Sequence, residues 1–432
     1  MADPAADTTV ERFLQAVERS GLLPPATVRQ IVATAPAAAR SDPQALADHF
    51  VRLGRLSHFQ ARKLLDDTAG GLVLGPYQIV MPIGRGGMGT VYLARDSREP
   101  KLLALKVLPP KRARTEERLL ARFRREMELS KRVAHPNLTQ TFDVGIAQGV
   151  YYIAMEYIAG QSLYRLVATG GPLPVGRAAK FFVQAAAGLE HAHGIGLIHR
   201  DLKPSNIMIT PRDQVKVLDL GLALIEGEAV EDHTVVGGKG YVVGTMDYIA
   251  PEQTEDAAKV DARSDLYGLG CTMYFALTGQ PPFPGGDAKS KIRRHRKEVP
   301  PPLQELNPLI PADFAAVVHP LLAKRPEDRP ASAAVLRQQL MKWADPLPYA
   351  APAVPEKEAD SGEVIADLEA EQEAAGGAGS AWDWVPPVSL AETAGGPTWW
   401  ARLSRMAWAV VVAAIGLAAV AVGVAAWWLR RR

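Results

Sequence analysis

The sequence has little cysteine, little net charge and no obvious export signal. Cys271 is the single cysteine among 432 residues, so an internal disulfide framework is excluded, which fits a reducing compartment. Because Cys271 lies in an apolar run, we expect a small buried hydrophobic residue and not a reactive thiol. The net charge of +2 gives no basic field for nucleic acid. Because of this small net charge, we expect no nucleic-acid partner. The first residues lack the basic and apolar regions of a signal peptide.

Residues 1–70 have the apolar spacing of short helices. Asp42-Pro43 is a helix-start signal, and Leu46 and Phe50 follow it one turn apart. No side chains in this region have the spacing of a metal or catalytic site. We predict a small helical bundle that packs on itself or on its neighbour. The alternative is a docking or regulatory module for the domain that follows.

A glycine-rich turn with the spacing G-x-G-x-x-G-x-V occupies residues 84–91. Glycines allow backbone N–H groups to approach phosphate oxygens. The dinucleotide-binding fold uses the same spacing, but there a helix follows the turn. Here Thr90, Val91 and Tyr92 are β-branched or aromatic, so a strand follows. The pattern predicts a phosphate-binding hairpin.

Lys106 interrupts the apolar strand of residues 102–108. A lysine in such a run is costly to bury unless it has a partner. The charged helix predicted over residues 115–132 offers Glu126 and Glu128. These two lie about 200° apart around a helix, so only one of them can face Lys106. Spacing alone leaves this choice open.

A polar loop spans residues 198–207 and presents Asp201, Lys203 and Asn206 between apolar flanks. Pro204 disfavours a long helix here, because the residue before a proline favours extended geometry. The next buried strand ends in a carboxylate, Asp219. The chain therefore offers several polar groups that one site could combine.

These motifs, in this order, resemble the eukaryotic-like (Hanks-type) serine/threonine protein kinases, in particular the bacterial membrane-anchored ones. The loop matches H-R-D-x-x-x-x-N, and an A-P-E sequence ends at Glu252. The resemblance covers residues 77–342. It implies an α+β fold of two lobes: a small lobe with an antiparallel sheet and one key helix, and a larger helical lobe. ATP would bind between them.

The resemblance also implies roles for individual residues. Asp201 would accept the proton of the substrate hydroxyl, and Lys203 would steady the γ-phosphoryl group. Lys106, paired with Glu126, would grip the α and β phosphates. The implied Mg²⁺ ligands are Asn206 and Asp219. The implied ATP-binding residues are Ile83, Gly84, Arg85, Gly86, Gly87, Met88, Gly89, Thr90, Val91, Ala104, Lys106, Met155, Glu156 and Ile158.

Within that set, Met155 resembles the gatekeeper residue, and the backbone of Glu156 and Ile158 would bond the adenine edge. The family's D-F-G reads D-L-G here, with Leu220 in place of the ring, which bears on packing and not on the carboxylate.

The larger lobe carries three further expectations from the resemblance. Asp265 would tether the catalytic loop, and Arg329 would pair with Glu252. Thr234 is the aliphatic hydroxyl between Asp219 and Gly244, and we expect it to be autophosphorylated, with an ordinary solvated threonine as the alternative.

The C-terminal part changes character twice. Residues 349–397 are acidic, rich in Ala, Gly and Pro, and nearly without periodicity, which predicts a disordered linker.

Residues 406–429 contain no charged residue and would extend roughly 36 Å as a helix, enough to span a bilayer. We predict a single-pass transmembrane helix acting as a C-terminal tail anchor in the cell membrane. The lipid bilayer would then be a partner, and the kinase region would be cytoplasmic because ATP is there. The small residues Gly416, Ala419 and Gly423 could support pairing of two spans in a homodimer.

The function implied is transfer of the ATP γ-phosphoryl group to Ser or Thr hydroxyls of protein substrates, with ATP and Mg²⁺ as cofactors. A pseudokinase scaffold is the first alternative, and its mark would be loss of Lys106, Asp201 or Asp219, all of which are present. The second alternative places the main role in residues 1–70, as an adaptor.

Overall fold

The computed structural model describes residues 9–85, 89–99, 101–218, 224–225, 243–255, 260–344 and 361–374. The α-helices are α1 Val10–Ser20, α2 Pro25–Thr34, α3 Pro43–Arg52, α4 His58–Leu65, α5 Pro110–Thr115, α6 Glu117–Ser130, α7 Leu163–Gly170, α8 Val175–Gly194, α9 Arg263–Thr278, α10 Ala288–Lys297, α11 Leu303–Leu306, α12 Ala312–Val318, α13 Ala333–Met341 and α14 Ser361–Ala374. The strands are β1 Val73–Leu74, β2 Tyr77–Arg85, β3 Thr90–Asp96, β4 Leu102–Leu108, β5 Thr141–Ala147, β6 Val150–Glu156, β7 Gln161–Ser162, β8 Leu197–Ile198, β9 Ile207–Ile209, β10 Val215–Val217 and β11 Leu224–Ile225. Short 3₁₀ turns lie at Pro204–Asn206, Val243–Tyr248, Glu252–Thr254, His319–Leu322 and Pro326–Asp328.

The smaller lobe is built on a six-stranded antiparallel sheet with the order β1-β2-β3-β4-β6-β5. Residues directly opposite each other in such a sheet share a face. Lys106 lies opposite Val91 on β3 and Ile153 on β6, which defines an inner face. Its neighbour Leu105 is on the outer face. Alternation along β4 therefore assigns one face to the lysine and the other to a hydrophobic core.

Helices α1 to α4 cover that outer face. Phe13, Phe50 and Leu64 from these helices are buried in one cluster with Leu103 and Leu105 of β4. Burial of this kind stabilises by about 25 cal/mol per Å² of apolar surface removed from water. Residues 9–65 therefore form a small helical bundle that packs both on itself and on the sheet.

The larger lobe is helical around α9, which is buried from Ser264 to its last residue, Thr278. Gly270 allows the close packing there, since a Cβ at this position would lie 2.5 Å from Cβ of Leu321. Cys271 is fully buried beside it, and burial raises the pKa of its thiol far above the ordinary value. The prediction of an inert buried residue is confirmed. The helices and curled sheet together match the predicted α+β architecture of two lobes.

The expectation of a linker without structure over residues 349–397 is wrong for Ser361–Ala374, which form helix α14. The composition of the segment by itself favours disorder, whereas Ile365 and Leu368 pack against the core cluster of the smaller lobe. Tertiary contact therefore supplies the apolar burial that the segment lacks locally.

Within the parts of the chain that the structure describes, no helix combines the length and the apolar character needed to cross a membrane. The span predicted over residues 406–429 lies outside the described residues.

Candidate active site

The inner face of the sheet contains a buried ion pair. Nζ of Lys106 lies 2.6 Å from Oε1 of Glu126, and the two side chains are only 5% and 4% exposed. Glu126 faces inward from α6, whereas Glu128 is exposed. The choice that spacing left open is therefore Glu126.

The glycine-rich turn connects β2 to β3. Gly84 and Arg85 end β2, and Thr90 begins β3. Only glycine fits at Gly89, because a Cβ there would lie 2.1 Å from the carbonyl oxygen of Val107. The remaining members of the predicted turn, Gly86, Gly87 and Met88, lie outside the described residues.

The strand that connects the lobes continues the inner face. Ala104 lies directly opposite Met155, so these two line the same region as Lys106. The backbone N–H of Glu156 donates to the carbonyl of Gln140 at 2.8 Å. Ile158 follows two residues after the end of β6, where the chain has no regular secondary structure.

The side chain of Glu156 makes a contact that the sequence reasoning missed. Oε2 of Glu156 lies 2.7 Å from Nζ of Lys216, and both groups are largely buried. The sequence feature that could have indicated this contact is Lys216, a lysine at the centre of the short strand β10. This ion pair links the connecting strand to the strand that leads to Asp219.

The polar loop brings three predicted side chains together. Nζ of Lys203 donates to Oδ2 of Asp201 at 2.6 Å. Nδ2 of Asn206 donates to the backbone oxygen of Asp201 at 2.9 Å and to Oδ2 at 3.2 Å. Because both side-chain contacts use Oδ2, Oδ1 of Asp201 is the oxygen that can face an acceptor hydroxyl.

Asp265 of α9 holds this loop from below. Its carboxylate accepts the backbone N–H groups of His199 and Arg200, each at 2.8 Å. Arg200 has φ of +65°, a conformation that costs of order 1–3 kcal/mol for a residue other than glycine. The two charge-assisted hydrogen bonds offset that strain, so the predicted tether is present.

The charge of Asp265 is also stabilised from the side. Nε2 of His193 lies 2.8 Å from Oδ2. Burial alone would raise the pKa of Asp265, but the hydrogen bond and charge of His193 and the backbone hydrogen bond of His199 outweigh it and lower the pKa below its ordinary value. Sequence reasoning missed His193, which lies near the end of α8 and carries no motif signal.

The ring of His199 has a structural role that the motif did not reveal. Its Nε2 lies 2.7 Å from the carbonyl oxygen of Leu218, and its Nδ1 accepts the N–H of Asp201 at 3.3 Å. A neutral ring with hydrogen on Nε2 satisfies both contacts. The ring therefore connects the polar loop to the residue immediately before Asp219.

Arg329 and Glu252 form the predicted pair in the larger lobe. The guanidinium makes a fork of two hydrogen bonds to the carboxylate at 2.6 and 2.8 Å. It also donates to the backbone carbonyls of Ala323, Arg263 and Lys324. The pair fixes the A-P-E segment against the helices of the larger lobe.

The donor set fits the nucleotide and the metal that the resemblance implies. Lys106 offers a buried ammonium, and Asn206 has its amide nitrogen engaged by Asp201, so its oxygen Oδ1 is the atom that could bind a cation. Mg²⁺ prefers such oxygen ligands and binds few of them from the protein. The second predicted ligand, Asp219, lies outside the described residues, as does Thr234. Among the residues described, no group of three His, Cys, Asp or Glu side chains could hold a metal by itself.

An antiparallel sheet with a buried lysine pair, joined to a helical lobe with a tethered H-R-D loop, defines the protein kinase fold. Residues 77–341 match the family profile described as "Protein kinase domain". The chain therefore belongs to the protein kinase family.

Curated relatives are bacterial serine/threonine-protein kinases. The chain is 38% identical over 311 residues to pkn3 of Myxococcus xanthus, covering 70% of this chain and 56% of the relative. It is 40% identical over 282 residues to PknB of Mycobacterium leprae, covering 64% of this chain and 44% of the relative. A probable serine/threonine-protein kinase of Streptomyces coelicolor is 36% identical over 283 residues, covering 65% and 41%. The chain thus spans about half the length of these relatives.

Proposed function

We propose that the protein is a serine/threonine protein kinase that uses ATP and Mg²⁺ to phosphorylate protein substrates. The observation that carries this proposal is the cluster of Asp201, Lys203 and Asn206, joined by hydrogen bonds of 2.6 to 3.2 Å and tethered by Asp265. Protein kinases rely on positioning and charge stabilisation, so a rigid polar cluster of this kind can do the chemistry.

Each side chain has a distinct task in this proposal. When bound, ATP with Mg²⁺ supplies the phosphoryl group that is transferred. Oδ1 of Asp201 orients the acceptor hydroxyl and takes its proton, and the ammonium of Lys203 balances the negative charge beside it. Lys106 binds phosphate oxygens from the inner face of the sheet, where Glu126 fixes its position. Asn206 and Asp219 would hold the metal.

The acceptor type follows from the loop sequence. The D-L-K-P-x-N form, with Thr245 ahead of the A-P-E segment, is that of serine/threonine kinases. The test is to incubate the purified chain with γ-labelled ATP, Mg²⁺ and a generic basic substrate protein, then to hydrolyse the product and separate the phosphoamino acids. We expect phosphoserine or phosphothreonine, and no label when Mg²⁺ is chelated. Label on tyrosine alone, or none, would refute the proposal.

We also propose that Thr234 is autophosphorylated. Arg200, beside Asp201, offers the cationic partner that a phosphate on this segment would neutralise. Mass spectrometry of active enzyme should find phosphate at Thr234, and Thr234→Ala should lower the rate. Active enzyme without this modification would eliminate the idea.

Finally, we propose that residues 406–429 span the cell membrane, with the kinase domain on the cytoplasmic side. The run has no charged residue, and its tryptophans stand near both ends, as in membrane-interface belts. The full chain should pellet with membranes and resist alkaline carbonate, whereas a chain shortened after Gly396 should not. Cleavage of the kinase domain by protease outside intact cells would contradict the orientation.

Cross-linking of the full chain in membranes, compared with a Gly416→Leu and Gly423→Leu variant, would test pairing of two spans.

A further inference from the structure

Helix α14 returns from beyond the kinase domain to the N-terminal helices. It has no lysine or arginine, and its acidic residues are Glu363, Asp367, Glu369, Glu371 and Glu373. Ile365 and Leu368, three residues apart, share one face and are half-buried against the cluster formed by α1 to α4 and the sheet. A helix of this length is marginal in water unless something holds it. The contact with the N-terminal helices therefore matters to α14 itself.

One acidic side chain of α14 is captured. Oε1 of Glu369 accepts the backbone N–H of His58 at 2.7 Å, and Oε2 lies 2.7 Å from Nδ1 of the same residue. The Glu369 side chain is only 14% exposed, whereas Asp367, on another face of the helix, is exposed. A carboxylate is rarely buried to this extent without specific partners.

The N-terminus of α4 is suited to receive this carboxylate. Ser57 and Gln60 form a capping box, each side chain bonding the backbone N–H of the other. His58 is the first residue of α4, so its N–H has no acceptor within the helix. The helix dipole favours a negative charge at this end. The backbone and ring of His58 together form a two-point receptor for a carboxylate.

Helix α4 is in turn fastened to the sheet. Oγ of Ser57 donates to the carbonyl of Val80 at 2.6 Å, and Nε2 of Gln60 donates to the carbonyl of Ile79 at 2.7 Å. Both acceptors belong to β2, the strand that leads into the glycine-rich turn. A segment that binds α4 is therefore mechanically connected to the nucleotide-facing lobe.

We propose that the N-terminal helices are a docking module for an acidic helix, and that their occupant is α14 of the same chain, held by Glu369 at His58. This assigns the N-terminal module a binding partner. Residues 361–374 would then hold the chain that follows the kinase domain against α4 and, through the contacts of α4, against β2. The claim concerns binding and does not depend on catalytic activity.

Amide hydrogen exchange of the full chain tests the docking. Undocked α14 should lose its helix, so Glu369→Ala should make amides of residues 361–374 exchange about tenfold faster or more, as expected for the loss of charged hydrogen bonds. Alanine is the better helix former, so faster exchange cannot come from propensity. Asp367→Ala is the matched control, since it also removes an acid from α14, and it should leave exchange unchanged.

His58→Pro removes the receptor without removing α4. Proline is favourable at the first position of a helix, and Ser57 before it already has the extended conformation (φ −81°, ψ 163°) that a following proline requires. We expect exchange in α14 to accelerate as in Glu369→Ala, and the double variant to show no further acceleration. Protection of residues 361–374 should be the same at low and high protein concentration.

Three results would overturn the proposal. Unprotected α14 amides in the unmodified chain would show that no docking occurs. Equal acceleration in Asp367→Ala would show that Glu369 is not the specific contact. Protection that falls on dilution would identify a second copy of the chain as the occupant.

Discussion

A buried ion pair between a basic residue and a glutamate lies in each lobe, and the two pairs differ in their hydrogen-bond geometry. In the smaller lobe, Nζ of Lys106 lies 2.6 Å from Oε1 of Glu126. In the larger lobe, Arg329 binds both oxygens of Glu252 and also three backbone carbonyls. A planar guanidinium in such a fork is fixed, whereas an ammonium is a point charge that can serve another acceptor.

The difference indicates what each pair is for. The Lys106 pair faces the inner surface of the sheet, where the ammonium can also bind phosphate oxygens. The Arg329 pair has no donor left over, since its guanidinium is enclosed by acceptors. We infer that Lys106 serves binding and catalysis, while Arg329 serves the stability of the A-P-E segment. The following predictions separate these two tasks.

The largest effect on stability is expected for Arg329→Met. The change leaves the carboxylate of Glu252 buried without its partner and removes the donor from three carbonyls. Loss of one partner of a buried pair costs about 3–5 kcal/mol. Chemical denaturation of the isolated variant should show a fall of that size in the free energy of unfolding. A loss below about 1 kcal/mol would mean that the pair is not structural.

Lys106→Met should show the opposite balance. The phosphates would lose their cationic partner, and we expect transfer activity to fall about 100-fold or more, as when a positioned charged group is removed from a reacting centre. Its free energy of unfolding should fall by less than that of Arg329→Met, because a flexible ammonium fixes its partner less rigidly than a planar guanidinium fork does. Unchanged activity, or a stability loss equal to that of Arg329→Met, would erase the distinction between the two pairs.

Asp265→Asn tests the hydrogen bonds by which Asp265 of α9 holds the polar loop of residues 198–207. Because the folded pKa of Asp265 is lowered, its ionised form contributes stability that is present above the unfolded pKa of about 3.9 and is lost as pH falls through the lower folded pKa. The variant should lose about 1–3 kcal/mol near neutral pH and have a shallower loss of stability below about pH 4. Asp213, whose pKa is also lowered despite burial, by hydrogen bonds from Lys180 and Arg177, should keep part of the acid dependence.

Parallel curves of stability against pH for the variant and the original chain would contradict this account of Asp265. Denaturation monitored at several pH values between 2 and 7 supplies the comparison.

The smallest effect is expected for Arg325→Ala, in the same R-P-x-x-R-P motif as Arg329. The Arg325 side chain is 72% exposed and pairs with Glu327 on the surface. Such an exposed pair contributes little to stability, because solvent screens it and two long side chains must be held in one geometry. A thermal melt should be nearly superimposable on that of the original chain, and a large shift would show that sequence position in the motif, and not burial, governs the energetics.

The motif-based contacts were predictable because each partner belongs to a recognisable sequence motif. Lys106 had to face inward by strand alternation, and only one of two glutamates on α6 could meet it. Asp265 and the pair of Glu252 with Arg329 follow from the family pattern. These contacts depend on how a few elements pack, and each element carries a recognisable signal.

The contacts that escaped prediction join segments that carry no shared signal. Glu369 meets His58 across 311 residues of sequence, and neither residue belongs to a motif. The composition around Glu369 predicts disorder, because local composition does not include a docking surface supplied elsewhere. Lys216 and His193 escaped for the related reason that a single polar residue near a buried element has many candidate partners.

The most direct test of the central claim is the rate of phosphoryl transfer by Asp201→Asn. The substitution keeps the size of the side chain and leaves an oxygen for Lys203, so nucleotide binding and the melting temperature should stay close to those of the original chain. It removes the group that takes the hydroxyl proton, a task that contributes 10²–10⁴-fold to rates. At saturating ATP and Mg²⁺ we predict a fall of about 100-fold or more in transfer to a serine-containing substrate. A variant that binds ATP normally and transfers phosphate at the original rate would contradict the assignment of Asp201 and the proposed kinase mechanism with it.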